Sequence, residues 1–538
     1  MMVISVASFS VLALLLFAIY PITDVLKLAF QDRGAWTLSN FEYYANYPGF
    51  VQAVWHTLNL SAWATLITVM LAYLFCLSLY HASMPYRNFW RAVMMLPLLL
   101  PSLMQALGVQ FILGRNGIIN QVFGTDLDIY GFQGILISNV IYALPHAFLV
   151  LQVALSGVNA QQYEAAQLFG AKPAKVFFSI TLPNSRYAIL SAVFLVFAIN
   201  ISEFGNPMVI GGDYNVLATE IYNQVVGQSN LNMGAVIAVF LLLPVMITMV
   251  LEQHLAKRQT LMAKVSNVSF SPKPKRWRDI AALCYASTVA LVILSIVAVV
   301  IVSSLAKLWP YDLTPTLSHF NFSVTGGKNA LLHSVEMSLI AALLGGLFVT
   351  MLAWASDALP PMSSKLVYIL AIIPASIPGL IVGFGYALTF ANSQPFSNSA
   401  FGVILLMSIC TVYHYHAQAF SMMVNRIKQV DHALYQASAM LGASSLRTFS
   451  KITLPLIWPT IVTVMLFYFI QGMVTLSALI FLVTPQTSLA AVSVLTLNDT
   501  GQLSQAAALS TMIMLTVCLS WLLLQGINRF SRLKEVTD

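Results

Sequence analysis

Glu164-Ala165-Ala166-Gln167-Leu168-Phe169-Gly170, then nine residues, then Ile180-Thr181-Leu182-Pro183: this phrase occurs twice in the chain. Its second copy reads Gln436-Ala437-Ser438-Ala439-Met440-Leu441-Gly442, nine residues, and Ile452-Thr453-Leu454-Pro455. Each matched position lies 272 residues beyond its counterpart, with no slippage between the opening residue and the proline. Both copies sit in polar breaks between long apolar runs. A loop duplicated this closely has two equivalent partners to touch, and it divides the chain into two halves of one plan.

Working outward, the 538 residues are 59% hydrophobic and 8% charged, whereas a soluble domain carries about 25% charged residues. Twelve apolar runs are long enough to span a bilayer, near 2–22, 53–80, 92–113, 134–156, 187–210, 234–252, 280–306, 330–355, 366–391, 401–424, 459–483 and 506–527. In lipid every backbone polar group needs an internal partner, so runs this continuous are helices, not the short alternating strands of a barrel. The expected fold is an all-α polytopic membrane protein of two tandem six-helix halves. The opening run lacks a basic leader and reads as the first span, not a removable signal.

The formal net charge of +7 does not point to nucleic acid, because the basic residues alternate from loop to loop. Most of the 25 Lys and Arg lie in one set of loops, including Arg87, Arg91, Lys172, Lys175, Arg186, the run from Lys257 to Arg278, Arg426, Lys428, Arg447 and Lys451. Lys27, Arg33, Arg115, Lys307 and Lys328 make up the other set. Positive loops stay inside, so both termini and both duplicated loops are expected to face the cytoplasm of a multi-pass bacterial inner-membrane protein. Cys76, Cys284, Cys410 and Cys518 all fall within apolar runs and suggest neither a disulfide framework nor a metal site.

The most polar stretch, 253–279, carries Ser-Pro-Lys-Pro-Lys-Arg-Trp-Arg at 271–278 and reads as a cytoplasmic linker. It separates a first half at 1–252, with its loop at 157–186, from a second at 280–538, with its loop at 425–458. Six spans per half give the two halves the same orientation. His56-Thr57-Leu58 matches His333-Ser334-Val335, Pro97 matches Pro374, and Pro101 matches Pro378, all at an offset of 277. The change from 277 to 272 puts five extra residues in the first half, in the outer loop holding Arg115-Asn116-Gly117 and Gly124 to Gly131. Prolines inside a span remove helix bonds and bend it, so the pairs predict matched kinks.

Within the loop, Ala165, Leu168 and Phe169, then Val176, Phe177 and Ile180, recur at helical spacing. Two short amphipathic helices of this kind lie on a membrane face or enter a groove of another protein. Gly170 and Gly442 supply the sharp turn between them. Pro183 and Pro455 are expected to stop or reset the second helix before the chain re-enters lipid.

Glu-Ala-Ala, three residues, Gly, nine residues and Ile-x-Leu-Pro resembles the signature of permease subunits of bacterial binding-protein-dependent ABC importers. The first copy carries every anchor: Glu164, Ala165, Ala166, Gly170, Ile180, Leu182 and Pro183. The second keeps Ala437, Gly442, Ile452, Leu454 and Pro455, with Gln436 and Ser438 in place of Glu and Ala. Over its whole length the chain is similar to the fused permeases of ferric-ion, thiamine and 2-aminoethylphosphonate importers. That resemblance implies a coupling loop docked on an ATP-hydrolysing subunit in each half, hence two ATPase copies. It also implies a periplasmic or lipid-anchored solute-binding protein outside, and no catalytic residue in this chain. The resemblance assigns ATP and Mg to the partner; no phosphate-binding Gly-x4-Gly-Lys-Ser/Thr loop occurs here. The loss of the Glu164 carboxylate at Gln436 predicts docking sites of unequal strength.

Glu203 and Glu336 are the acidic residues within or beside spans and away from the cytoplasmic ends. Intramembrane carboxylates tend to face cavities. Glu203 lies in Ile201-Ser202-Glu203-Phe204-Gly205-Asn206-Pro207, where Gly and Pro are expected to break the fifth helix. Glu203, Pro207, Pro97 and Pro374 are the candidates for lining a translocation path; the competing role for Glu203 is to satisfy the helix break itself. Glu336, near the outer start of the eighth span, reads as a carboxylate that snorkels outward or caps the helix. Outside, Gly211 to Glu220 and Thr484 to Ala490 are the segments a binding protein would meet. A secondary transporter of the 6+6 type is the alternative, but the His81–Arg91 loop lacks the glycine such proteins carry between the second and third spans. A membrane enzyme would need clustered ligands, and His414 and His416 stand two apart, on different sides of a helix.

Overall fold

The computed structural model describes residues 2–32, 34–157, 160–263, 272–322 and 327–537. Outside that set lie Arg33, residues 158–159 of the first loop, and 264–271 of the linker. Among the described residues, ten helices are long and apolar enough to cross a membrane, or twelve if each of two sharply bent pairs counts as one span. The protein is all-α and polytopic; the strands among the described residues form two short hairpins, Gln31–Asp32 with Ala35–Trp36 and Ala306–Leu308 with Asp312–Pro315.

Two compact units emerge, one of Ser39–Phe320 and Gly501–Ser510, the other of Met1–Leu38, Asn321–Thr500 and Thr511–Asp538. They differ from the halves of the sequence by an exchange of first spans. The opening helix belongs with the body of the second half, and Arg276–Leu305 with the body of the first.

In the first unit, Pro48–His81 packs on Phe132–Ser156 and Leu182–Ile201, which lies in turn against Leu231–Ala263. Ala64, Ala72, Ala143, Ala147, Ala188 and Ala192 are buried along this seam. Without a hydrophobic drive between helices in lipid, small residues that let backbones approach are what hold such a bundle. Phe75 and Phe148 fill the wider level edge to face, with ring centroids 5.7 Å apart. The second unit repeats the arrangement with Gly327–Ala358 against Ala400–Ile427 and Leu454–Val474.

Each exchanged span is seated on a glycine, and the two glycines match at the 277 offset. A Cβ at Gly108 would lie 2.5 Å from Ile296 Cγ2, and one at Gly385 would lie 2.6 Å from the Pro21 carbonyl oxygen. Pro21 has no N–H for the Phe17 carbonyl four residues back. The Tyr386 hydroxyl donates to that carbonyl at 2.6 Å instead, and Thr389 donates to Asp24 at 2.9 Å.

The paired prolines do more than kink. Arg87–Leu99 meets Ser102–Phe123 at 103°, and Pro361–Ser376 meets Gly379–Phe390 at 101°. The expected continuous spans 92–113 and 366–391 are therefore broken at right angles. Pro97 and Pro374 open matching 3-10 turns, Leu96–Leu99 and Ile373–Ser376, and Pro101 and Pro378 precede the next helices. A proline biases the residue before it to extended backbone, and Leu100 (φ −113°, ψ 142°) and Ile377 (φ −106°, ψ 120°) adopt it.

Candidate functional site

The duplicated loops fold identically, element for element. Ala160–Leu168, Pro173–Val176, a π turn at Phe177–Thr181 and Leu182–Ile201 correspond to His432–Met440, Ser445–Thr448, Phe449–Thr453 and Leu454–Val474. Gly170 and Gly442 take φ of +66° and +72°, the left-handed conformation that ends a helix at little cost for glycine. Ala171 N–H closes on the Ala166 carbonyl at 2.9 Å, and Ala443 N–H on the Ser438 carbonyl at 3.1 Å.

Pro183 and Pro455 do not stop the second helix. Each is the second residue of the long helix that follows, and helix runs unbroken through Pro173–Ile201 and Ser445–Val474. The π turn explains this: Leu182 N–H reaches back five residues to Phe177 and Leu454 N–H to Phe449. The wider turn takes up the place where proline offers no N–H. The fifth and eleventh spans therefore begin earlier than 187 and 459, and they end at Ile201 and Val474, short of the expected 210 and 483.

The surface each loop presents is apolar at its tip. Leu168, Phe169, Met440 and Leu441 are between 87% and 90% exposed, far beyond what four large side chains beside two tight turns need for folding. Glu164, Ala165, Gln436 and Ala437 are also exposed, whereas Ala166, Ile180, Leu182, Ile452 and Leu454 are half-buried at the root. Residues outside the signature fix each loop to its span. Tyr163 and Thr181 hydroxyls lie 3.0 Å apart, and the Thr453 hydroxyl donates to Tyr435 at 3.4 Å, the same pair 272 residues on. Only the second loop adds Ser438 to Thr448 at 2.7 Å; the first has Ala166 and Val176 there, and instead Asn184 donates to Gln162 at 2.8 Å. Serine at 438, read in the sequence as a departure, is a brace.

At membrane depth, Glu203 is buried, and its Oε1 accepts from Gly205 N–H at 3.0 Å and Asn206 N–H at 3.3 Å. It caps the short helix Gly205–Ile210 that follows the break, and that helix buries Pro207. Its carboxylate is thus engaged in satisfying the break. This break meets the one in the third span: a Cβ at Gly205 would lie 2.5 Å from Ser102 Oγ. In the other unit the residues trade places, with Gly379 at the 102 position and Ser477 at the 205 position, 2.7 Å from a Cβ at Gly379. Tyr415 and Thr475 share a short hydroxyl contact; half-buried His414 brings Nε2 to 3.0 Å from a Cβ at Gly379, whereas buried His416 meets the Tyr413 carbonyl at 3.0 Å, and among the described residues the two form no ligand cluster.

On the opposite side from the loops, the repeated His-Thr/Ser step holds the segment after the fifth span. His56 Nδ1 meets the Asn215 carbonyl at 3.1 Å and Thr57 Oγ1 accepts from Leu217 N–H at 2.8 Å. His333 with Ser488 at 3.3 Å and Ser334 with Ala490 at 2.8 Å repeat this. The five extra residues of the first half build a wall here: Asn120 ties the loop by bonds to Gly114 and Leu127. Together with His56, Tyr130 and Tyr214 the loop borders an open cavity of about 640 Å³. Arg115 pairs with Asp128 at 2.8 Å, and that bond holds the Asp128 carboxyl below its usual range.

Two membrane bodies of one plan, each extending the same apolar-tipped loop from a broken-helix core, define a transport permease that works with partners. The family described as "Binding-protein-dependent transport system inner membrane component" matches residues 77–261 and again 342–531. The chain belongs to that family, with two permease halves fused in one multi-pass inner-membrane polypeptide. It is 24% identical to the ferric transport system permease FbpB of Actinobacillus pleuropneumoniae, over 94% of this chain and 75% of that protein. To the putative 2-aminoethylphosphonate permease PhnU of Salmonella choleraesuis it is 26% identical, over 42% of this chain and 82% of that one. A bacterial ABC transporter involved in import of the acidic polysaccharide alginate aligns at 19% identity and a TM-score of 0.37, covering 48% of this chain and 99% of that one.

Proposed function

We propose that this chain forms the membrane path of an ATP-driven importer, and that each duplicated loop is a seat for one ATPase subunit, two per chain. The carrying observation is the pair of matching, strongly exposed apolar tips, Leu168-Phe169 and Met440-Leu441, standing next to left-handed glycines. Tips of this kind on a water-facing loop favour burial in a partner's groove. ATP and Mg belong to that partner. The alternation of basic residues supports loops and termini on the cytoplasmic side. A binding protein then docks outside, on the face bearing Gly211 to Glu220 and Thr484 to Ala490.

The permeant solute in this reading is ferric iron or a phosphonate such as 2-aminoethylphosphonate. Ferric iron is favoured because the ferric relative aligns with both halves, the phosphonate relative with 42% of the chain. Closure of the two ATPases would move the halves as rigid bodies, with Pro97, Pro374, Glu203 and Pro207 shaping the breaks beside the path. The test is uptake of labelled iron and of labelled phosphonate into vesicles containing the complete transporter. ATP-dependent uptake that survives collapse of the proton gradient supports the proposal; uptake driven by the gradient alone contradicts it.

A further inference from the structure

At the ends of the helices from which the second loop departs, a cavity of about 380 Å³ opens between Gly327–Ala358, Pro361–Ile372 and Ala400–Ile427. Its polar lining is Ser356, Asp357, Ser364, Lys365, Tyr368 and Lys428. Lys428 Nζ stands 5.9 Å from the centre of the Tyr368 ring, and the Ser356 and Ser364 hydroxyls are 3.4 Å apart. Neither lysine is in an ion pair among the described residues, so against the single carboxylate of Asp357 the cavity keeps one positive charge in excess.

The corresponding turn of the other unit shows what such a place requires. There Ser83 N–H donates to Asp279 at 3.0 Å, Ser83 Oγ donates to the Pro272 carbonyl at 2.9 Å, and Arg278 pairs with Asp279 at 2.8 Å. An internal carboxylate fills that turn. Around Pro360, 277 residues on, Asp357 is the carboxylate in the lining, and among the described residues it pairs with neither Lys365 nor Lys428.

A second observation fixes the chemistry of the occupant. Met362, Leu366 and Ile369 on the same helix, and Ile373 at the start of the 3-10 turn that follows, are all exposed and recur at i, i+4, i+7 and i+11, an apolar stripe of the kind that suits lipid. A cationic, hydroxyl-lined cavity beside an apolar stripe suits one amphiphile: a phosphate ester carrying acyl chains. Basic pockets between spanning helices hold acidic headgroups in this way. We infer that this cavity binds the headgroup of an anionic phospholipid, its tails lying along the Met362–Ile373 stripe. The bound phosphate bridges Lys365 on one helix and Lys428 on the next, three residues before Asp431, whose side chain caps the coupling-loop helix. The lipid would therefore hold the root of the second loop in place. At the matching positions of the first half stand Asn88 and Ser156, which carry no charge.

The experiment is native mass spectrometry of the full chain released from nanodiscs of equal phosphatidylglycerol and phosphatidylcholine. Phosphatidylglycerol should be enriched among retained lipids by about fivefold or more. Lys365→Ala/Lys428→Ala should return the ratio to that of the bilayer, Lys365→Arg/Lys428→Arg should keep the enrichment, and Lys172→Ala/Lys175→Ala should leave it unchanged. Melting temperatures of all variants verify folding. Enrichment that persists in the alanine pair, or is absent in the wild type, overturns the inference. A parallel arm adds inorganic phosphate to nanodiscs of phosphatidylcholine alone. Lysine-dependent phosphate binding without phosphatidylglycerol enrichment would assign the cavity to a soluble anion and overturn the lipid assignment.

Discussion

Tyr386 carries one hydroxyl, and that hydroxyl satisfies a backbone carbonyl that Pro21 leaves without its helical partner. A buried acceptor stripped of its donor costs about 1–3 kcal/mol. Tyr386→Phe should therefore lower the thermal midpoint in detergent, while Tyr386→Phe combined with Pro21→Ala, which restores an N–H, should recover part of the loss. An unchanged midpoint in the single variant would show that the carbonyl finds another donor. Gly170 and Gly442 make a different demand. A Cβ at either meets nothing within 4 Å, so alanine there is penalised only by its backbone, about 1 kcal/mol at a left-handed position. Gly170→Ala and Gly442→Ala should each reduce stability by that order in chemical denaturation, with asparagine milder than alanine; equal stability of alanine and glycine would contradict the turn geometry. These glycines were legible in the sequence because each ends a short apolar pattern. Tyr386 was not, because its partner is 369 residues away and a tyrosine in a span carries no sign of what it bonds. Glu203 was half legible: its place at a break could be read, but the two N–H groups that engage it follow from the backbone path alone.

Each loop acts as an element because its first helix is tied to the membrane span by a hydroxyl pair, Tyr163 with Thr181 and Tyr435 with Thr453. If the loop is a lever, these pairs set its stiffness. Tyr163→Phe/Tyr435→Phe should leave ATPase capture intact yet raise the ATP consumed per solute imported at least twofold, as a brace worth about 1 kcal/mol is lost at each root. Unchanged stoichiometry would limit the pairs to a folding role. The exchanged spans make a second element-scale prediction. A methyl at Gly385 would press on the Pro21 carbonyl, a backbone atom that cannot rotate away. Gly385→Ala should destabilise by about 1–3 kcal/mol, read as a lowered melting temperature of the purified protein; a neutral result would mean the opening helix is not seated there. Periodicity and run length disclosed the spans, and an exact offset disclosed the loops. The exchange of first spans escaped the sequence because an apolar run states that it is buried and not against what. The π turns escaped it as well, since proline reads locally as a stop although a wider turn carries the helix through.

At the scale of the molecule, two halves matching at offsets of 277 and 272 fold to two units with like loops, like breaks and like clasps at His56 and His333. Their differences are as informative as their likeness. The first half has the cavity at the end away from its loop, and the second has the braced loop and the basic cavity at its root. One half thus carries its addition at the end away from the loops, and the other carries its additions on the loop side. Whether two like loops recruit two like motors is the centre of this account. The measurement that tests it most directly is the mass of the intact complex purified through a tag on this chain. Wild type is compared with Leu168→Ser/Phe169→Ser, with Met440→Ser/Leu441→Ser, and with all four changes together. The account predicts two ATPase subunits on the wild-type chain, a major species with one on either paired variant, and none on the fourfold variant. Two ATPases retained on the fourfold variant, or none on the wild type in membranes that preserve such complexes, would contradict it.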